Sequence, residues 1–178
     1  MDNSGKVFDG LLVLEYRSGK KRAFEILVKR YHKKLCRHAY SYTHDFDASR
    51  DIVQDSWTIM IHKIESLKKP NRFGSWAFRI VSRKALDFLN KRKRQISHLA
   101  AYKNSRYGSD NQDNNESQIQ MLRHMVRVLP KDQQIVLRLF YTEEYSLKEI
   151  SEILEVSVGT IKSRLFHARE RLKLKLKE

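Results

Sequence analysis

The stretch from Tyr145 to Leu172 constrains the fold more than any other part of the chain, because it has the pattern of two helices joined by a tight turn. Ser146 is followed three residues later by Glu149, which is the spacing of a capping box at a helix start. The first helix then carries one apolar stripe, made of Leu147, Ile150, Ser151 and Leu154. This helix is predicted to end near Glu155, and Ser157 is a suitable N-cap for the next one.

The second helix has two different faces. Its packing face is Val158, Ile161, Leu165, Ala168 and Leu172, and its polar side chains lie opposite. Together with Ser157, we call these polar side chains the outer face of the second helix: Ser157, Thr160, Ser163, Arg164, His167 and Arg171. A helix held against a partner in this way enters the major groove with its early residues at base edges. A charged face that only contacts solvent is the alternative, but the capping box, the turn and the helix order favour DNA binding.

Composition predicts an all-α protein with an acidic partner. The chain has 178 residues with only 6 Gly and 2 Pro, and apolar residues recur at helical rather than alternating spacing. A net charge of +15 and a pI near 10 favour nucleic acid or an acidic membrane surface. Most of this charge lies in residues 1–95, outside the helix-turn-helix.

The chain is predicted to form two small helical domains, residues 1–95 and 118–178. Helices are expected at 7–17, 21–43, 48–66 (capped by Asp47) and 73–94, and then at 119–129 and 131–141 before the helix-turn-helix. Residues 96–117 are polar and rich in Asn, Ser and Asp, which is typical of a flexible linker. We expect the linker to leave the relative placement of the domains to an external partner.

A second nucleic-acid surface is predicted where a basic loop leads into the helix at 73–94. We call it the basic face, and it consists of Lys69, Asn71, Arg72, Trp76, Arg79, Arg83, Asn90 and Arg94. An aromatic ring among guanidinium groups suits stacking on an unpaired base together with phosphate neutralisation. The alternative is a solvated basic face with Trp76 packed into the core.

The helix at 48–66 carries an acidic patch, defined as Asp51, Gln54 and Asp55. These residues face away from the apolar stripe that contains Val53 and Trp57. An acidic patch does not suit DNA contact in so basic a chain. It is either a docking surface for a protein or a solvated helix start, where carboxylates oppose the helix dipole favourably.

Three motifs resemble the bacterial extracytoplasmic-function (ECF) sigma factors. They are Asp51-Ile52-Val53-Gln54-Asp55-Ser56-Trp57, the helix with Trp76-Ala77-Phe78-Arg79-Ile80 that ends in Leu86 to Arg94, and the segment from Leu129-Pro130 through Val156 to Arg164. The resemblance covers about residues 7–95 and 119–176, with the motifs in the family's order and spacing.

The resemblance implies a role for each surface. The acidic patch would dock on the clamp helices of the largest subunit of core RNA polymerase. The basic face would melt and read the −10 promoter element, and the outer face of the last helix would read the −35 element. The family also implies an anti-sigma factor as a partner, and we expect the free chain to be a monomer.

Three positions depart from the family's common pattern. Arg83 stands where many relatives have Asn, and Glu155 stands where Gly often closes the turn. Ser151 replaces a residue that is commonly small and apolar. If the turn requires positive φ at Glu155, a residue other than glycine introduces strain there.

Other functions receive little support from the sequence. His32, Cys36 and His38 lack an evident fourth ligand for a structural zinc site, and no glycine-rich phosphate loop occurs, so no cofactor is expected. The single cysteine excludes an internal disulfide, and no segment has the length of a membrane anchor, so a cytoplasmic, non-enzymatic protein is expected. The remaining alternatives are a dimeric helix-turn-helix regulator, a nuclease and a membrane-surface protein. The first lacks a heptad seam, the second lacks clustered carboxylates, and the third lacks a broad apolar face.

Overall fold

The computed structural model describes residues 3–99 and 124–175, and every regular element in these ranges is helical. The N-terminal half contains α1 (Asn3–Arg17), α2 (Lys21–Thr43), α3 (Phe46–Lys63) and α4 (Phe73–Leu99), with short 3₁₀ turns at Ile64–Ser66 and Pro70–Arg72. The C-terminal half contains α5 (124–128), α6 (Lys131–Tyr141), α7 (Leu147–Leu154) and α8 (Val158–Lys175). The prediction of an all-α fold is confirmed. Within the described residues, none of the helices is long and apolar enough to cross a bilayer.

The start of α3 differs from the prediction by two residues. Asp45, not Asp47, is the N-cap, and its carboxylate accepts hydrogen bonds from the backbone N–H groups of Asp47 and Ala48, both at 3.1 Å. Thr43 fixes this choice, because its Oγ1 accepts the Asp45 N–H at 3.2 Å. A left-handed residue, His44 (φ 52°), turns the chain between α2 and Asp45.

The core of the N-terminal half is organised around α2, which contacts α1, α3 and α4. The most deeply buried apolar side chains of this half include Leu27, Leu35, Val53, Met60, Phe73 and Phe78. Ile61, which was predicted to lie on the inner side of α3, is 44% exposed. Asp9 on α1 is also buried, and its carboxylate accepts from Arg30 Nε at 2.9 Å and from the Tyr31 hydroxyl at 2.5 Å. Since a buried carboxylate is costly unless it is hydrogen-bonded, these two bonds fix α1 on α2.

The C-terminal half follows the predicted packing in part. Val158, predicted on the packing face of α8, is 37% exposed, and Ile153, outside the predicted stripe of α7, is buried. Ile150 and Ile153 of α7 and Ile161 and Leu165 of α8 are buried together. The capping box is present: the Glu149 N–H donates to Ser146 Oγ at 3.2 Å, and the Ser146 N–H donates to the Glu149 carboxylate at 2.9 Å. These interactions hold the turn that orients α8.

The two halves pack against each other, which contradicts the expectation that the free chain leaves their relative placement open. Helix α4 contacts α7, α2 contacts α6, and buried residues of both halves form one hydrophobic cluster. The Phe78 and Tyr145 rings meet edge to face across this boundary, 5.3 Å apart. The predicted linker at 96–117 lies largely outside the described residues, although α4 continues to Leu99, beyond the predicted domain end at residue 95.

A polar network crosses the same boundary. Arg138 of α6 donates to the Arg37 carbonyl and, at 2.6 Å, to His38 Nδ1 on α2. His38 Nε2 in turn contacts Ser82 Oγ on α4 at 2.7 Å. Because Arg138 is a donor only, His38 Nδ1 must be the acceptor, and the neutral imidazole therefore carries its proton on Nε2.

Candidate nucleic-acid interface

The outer face of α8 is presented to solvent as the sequence predicts, with Ile161, Leu165 and Ala168 buried on the opposite side. Ser163, His167 and Arg171 are exposed. Their spacing of four residues places them along one side of the helix, about one turn apart. These three side chains form a continuous polar strip that can contact base edges or phosphates.

The first turn of α8 uses its hydroxyl groups for capping. Ser157 Oγ accepts the Thr160 N–H at 3.0 Å and lies 2.9 Å from Thr160 Oγ1. Ser157 is therefore the N-cap, as predicted, and the two hydroxyls are preorganised at the helix N-terminus. Backbone N–H groups at such a terminus also attract phosphate.

Arg164 of the outer face is half-buried and forms an ion pair. Its Nε lies 3.0 Å from Asp132 Oδ2 at the start of α6. The ion pair connects α8 to α6 and limits the orientations of the guanidinium. A preordered guanidinium loses less conformational freedom when it binds a base edge than an unrestrained one does.

The basic face forms an elongated strip along α4 and the 3₁₀ turn before it. At about 1.5 Å per residue, Arg72 and Arg94 are separated by about 33 Å. Lys69, Asn71, Arg83 and Asn90 are exposed. Trp76 is half-buried, and its ring lies 5.9 Å from that of Phe73. The side chain therefore packs against the core, and part of it stays accessible for stacking on a base.

Acidic residues of α7 and of the turn after it occupy the N-terminal end and the middle of the basic face. Arg79 Nε and Arg83 Nε lie 3.0 Å and 2.8 Å from the carboxylate of Glu155. Arg72 Nη1 lies 2.6 Å from Glu152 Oε2. Hydrogen bonds from Arg83 and Arg79 lower the pKa of Glu155 to about 2, so it is ionised at neutral pH.

These contacts were not among the sequence-based predictions. Glu149, Glu152 and Glu155 recur every three residues next to a helix-turn-helix in a strongly basic chain. This spacing places acidic side chains along one side of α7, and it was the sequence feature that could have predicted a contact with a basic surface. The third member, Glu149, also crosses the boundary, because it accepts from Lys6 Nζ at 2.5 Å.

The acidic patch on α3 is intact and accessible. Asp51, Gln54 and Asp55 are all exposed on the side of α3 opposite buried Val53 and Trp57. Lys84 of α4 approaches Asp55 at 3.2 Å, at the edge of the patch. The structure therefore places the three predicted residues on one surface, distinct from the polar strip of α8.

A large groove lies between the two halves, with a volume of about 1120 Å³. Aromatic and aliphatic side chains of both halves contribute to it, among them Tyr40, Phe46, Leu137 and Tyr141. Its basic lining residues are Lys33, Arg37, Arg50, Arg138, Arg169 and Lys173. No Asp or Glu occurs among the described lining residues, so the groove favours an occupant that is both apolar and acidic.

The surfaces described above lie in two segments that match known protein families. Residues 27–95 match the family model of Sigma-70 region 2, and residues 119–172 match that of Sigma-70 region 4. The chain belongs to the ECF sigma factors. Its function is that of this family, promoter-specific initiation of transcription, and a conventional helix-turn-helix regulator is not favoured.

Individual relatives match most of the chain. The ECF RNA polymerase sigma-E factor of Haemophilus influenzae is 29% identical over 180 residues, covering 94% of this chain and 95% of the relative. The RNA polymerase sigma factor SigV of Bacillus subtilis is 29% identical over 145 residues, covering 78% of this chain and 81% of the relative.

Two solved structures share the fold. The sigma factor RpoE of Bartonella quintana, in complex with the anti-sigma factor NepR, has a TM-score of 0.71 at 23% identity and covers 86% of this chain and 96% of its own. CnrH, in complex with the cytosolic domain of CnrY, has a TM-score of 0.65 at 24% identity and covers 96% of this chain and 97% of its own.

Proposed function

We propose that this ECF sigma factor binds core RNA polymerase through its acidic patch and reads a two-part promoter with its two helical faces. The outer face of α8 contacts the −35 element, and the basic face contacts and helps to melt the −10 element. The observation that supports this assignment is the position of each surface: the acidic patch and basic face lie in the region 2 match, and the outer face lies in the region 4 match.

The chemistry of each surface suits its proposed target. Exposed carboxylates on α3 complement a basic docking surface on polymerase, which favours both association rate and specificity. The half-buried Trp76 among arginines suits an unpaired base and its phosphates. The chain itself contributes binding and positioning in the cytoplasm, and polymerase supplies the catalysis.

Regulation by an anti-sigma factor is the second part of the proposal. The two solved structures described above are complexes, one with the anti-sigma factor NepR and one with the cytosolic domain of CnrY. The groove between the halves supports such a partner here, because an amphipathic acidic segment could bury apolar side chains while its carboxylates meet the basic lining. We propose that the sigma factor is otherwise monomeric.

Run-off transcription with purified core polymerase tests the function. A promoter library is transcribed with core enzyme alone, with core enzyme plus this chain, and with core enzyme plus a variant that lacks residues 124–178. Transcripts enriched for common −35 and −10 sequences are expected only with the full chain. Failure to retain core polymerase in a pull-down would contradict the proposal.

Substitution of Arg164 tests the proposed role of α8. The change Arg164→Ala is expected to cost about 1–3 kcal/mol on the preferred −35 sequence and to relax selectivity at one base pair, if the guanidinium contacts a base edge. Binding is measured on a set of −35 duplexes that differ at single positions. An equal loss on every duplex would instead identify Arg164 as a phosphate contact.

Asp132→Ala is the matched control for this substitution. It removes the 3.0 Å ion pair with Arg164 but leaves the guanidinium in place. We expect a smaller loss of affinity with sequence preference retained, because only the preordering of Arg164 is removed. A relaxed preference in this variant as well would mean that the orientation imposed by Asp132 is itself necessary for selectivity.

A further inference from the structure

Two of the positions at which this chain departs from the family pattern contact each other. Arg83 and Glu155 are 72 residues apart, in the two different halves, and their side chains form a two-point ion pair. Arg83 Nε donates to Glu155 Oε2 at 2.8 Å, and Arg83 Nη2 donates to Oε1. Arg79, one helical turn earlier, donates to the same carboxylate from Nε at 3.0 Å. We call Arg79, Arg83 and Glu155 the Glu155 ion cluster.

The backbone at Glu155 is in a conformation that glycine adopts more easily. Glu155 ends α7 with φ 56° and ψ 40°, in the left-handed region, and its N–H donates to the Ser151 carbonyl. The turn therefore does place Glu155 at positive φ, the condition under which a residue other than glycine was expected to introduce strain. Because only glycine enters this region without steric cost, the helix-turn-helix alone gives no reason for glutamate here. The Glu155 side chain instead binds Arg79 and Arg83 of α4.

The Glu155 ion cluster occupies the central part of the basic face. A guanidinium that forms a two-point bond with a carboxylate cannot offer the same N–H groups to a phosphate. Glu152 occupies Arg72 in a similar way, at 2.6 Å. The two carboxylates also repel a polyanion that approaches α4. Arg72, Arg79 and Arg83 of the basic face are therefore engaged within the chain itself.

We propose that Glu155 is an internal competitor of nucleic acid, which holds Arg79 and Arg83 in the free chain and must be displaced before the basic face binds a DNA strand. The proposal rests on the assignment of α4 as a nucleic-acid surface. It adds an inhibitory contact that is specific to this chain. The competing carboxylate comes from the half of the protein that carries α8, the other proposed DNA-contacting helix. The basic face and the turn before α8 thus occlude each other until they separate.

Substitution of Glu155 in the full chain tests the proposal without polymerase. Glu155→Gly removes the carboxylate and relieves the left-handed strain, so folding is expected to be retained. Glu155→Gln removes the charge and keeps the side-chain size. The probe is a fluorescently labelled single-stranded DNA of mixed sequence, and its affinity is measured by anisotropy over a range of salt concentrations. Both variants are expected to bind about tenfold more tightly than the unmodified chain.

The salt dependence gives a second readout. If two guanidinium groups become available to phosphates, the slope of log affinity against log salt concentration increases in magnitude by about 1.4, since each phosphate contact on a single strand contributes about 0.7. A uniform electrostatic effect of one lost carboxylate, without new contacts, would leave the slope nearly unchanged.

Glu144→Gly is the matched control. Glu144 is also exposed and also has a positive φ, 55°, so the same substitution makes the same changes in charge and backbone strain away from the Glu155 ion cluster. We expect its DNA affinity to stay within about twofold of the unmodified chain. Equal affinities for the Glu155 and Glu144 variants, or no binding by any variant, would overturn the proposal. Failure of the promoter-dependent transcription described above would overturn the function instead, because the oligonucleotide measurement contains no polymerase.

Discussion

Core RNA polymerase is expected to lose nearly all affinity for the double variant Asp51→Lys with Asp55→Lys, while the variant keeps its fold. Both side chains are exposed on α3, so the substitutions disturb no buried contact. Like charges at a docking surface cost on the order of 2–5 kcal/mol, which corresponds to an affinity loss between about 30-fold and about 5,000-fold. Association of labelled protein with purified core enzyme measures the effect directly.

A charge-matched control separates docking from the general increase in positive charge. Glu25 and Glu65 lie on the same half of the protein and are also exposed, and their double replacement by lysine changes the net charge by the same amount. We expect this control to bind polymerase nearly as the unmodified chain does. The single ion pair lost with Asp55, to Lys84 at 3.2 Å, is exposed and contributes less than about 1 kcal/mol. Unchanged polymerase affinity in a folded Asp51/Asp55 variant would exclude this surface as the docking site.

Local sequence patterns predicted the helices well because the information that defines them is local. Helix α2 spans the predicted residues 21–43, and the capping box at Ser146 and Glu149 is present as expected. The N-cap of α3 is Asp45, not the predicted Asp47. Asp45 and Asp47 are equally good N-caps by residue type, and the contact from Thr43 Oγ1 decides between them.

The packing of the two halves could not be predicted in the same way. Arg138 and Glu155 have the sequence context of ordinary surface charges, and their partners lie more than 70 residues away. Helical periodicity identifies which side of a helix is apolar, but it does not identify which helix covers that side. The polar character of residues 96–117 suggested independence of the domains, whereas the contacts between α4 and α7 join them.

The stability of the packed chain is expected to fall as the pH decreases from about 7 to 5. His38 is fully buried at the boundary between the halves, where it accepts a hydrogen bond from Arg138 and contacts Ser82. Burial and the adjacent Arg138 charge hold the pKa of His38 well below its ordinary value. A protonated imidazole would place an N–H donor against the guanidinium, so the network requires neutral His38.

The sign of the effect follows from proton binding in the two states. Below about pH 6.5 the unfolded chain binds a proton at His38 and the folded chain does not, so each further pH unit lowers the free energy of unfolding by about 1.4 kcal/mol until the lowered pKa is reached. This contribution is fully present above the unfolded pKa. Burial lowers the pKa of Arg138 to about 10, so the guanidinium stays charged through the whole range. His44, whose pKa is lowered by burial and Lys131, acts in the same direction.

Urea denaturation at pH 7.5, 6.5 and 5.5 measures this dependence in the unmodified chain and in His38→Gln. Glutamine can accept from Arg138 and donate to Ser82 without titrating, so the variant is expected to lose most of the pH dependence between 6.5 and 5.5. His62→Gln is the control, because His62 is exposed on α3 and its ring hydrogen-bonds to the Thr58 carbonyl of its own helix. Its pH dependence should match that of the unmodified chain. If the stability of His38→Gln keeps the full pH dependence of the unmodified chain, protonation of other groups causes the loss of stability. The contact between Arg138 and His38 would then not make the association of the two halves sensitive to pH.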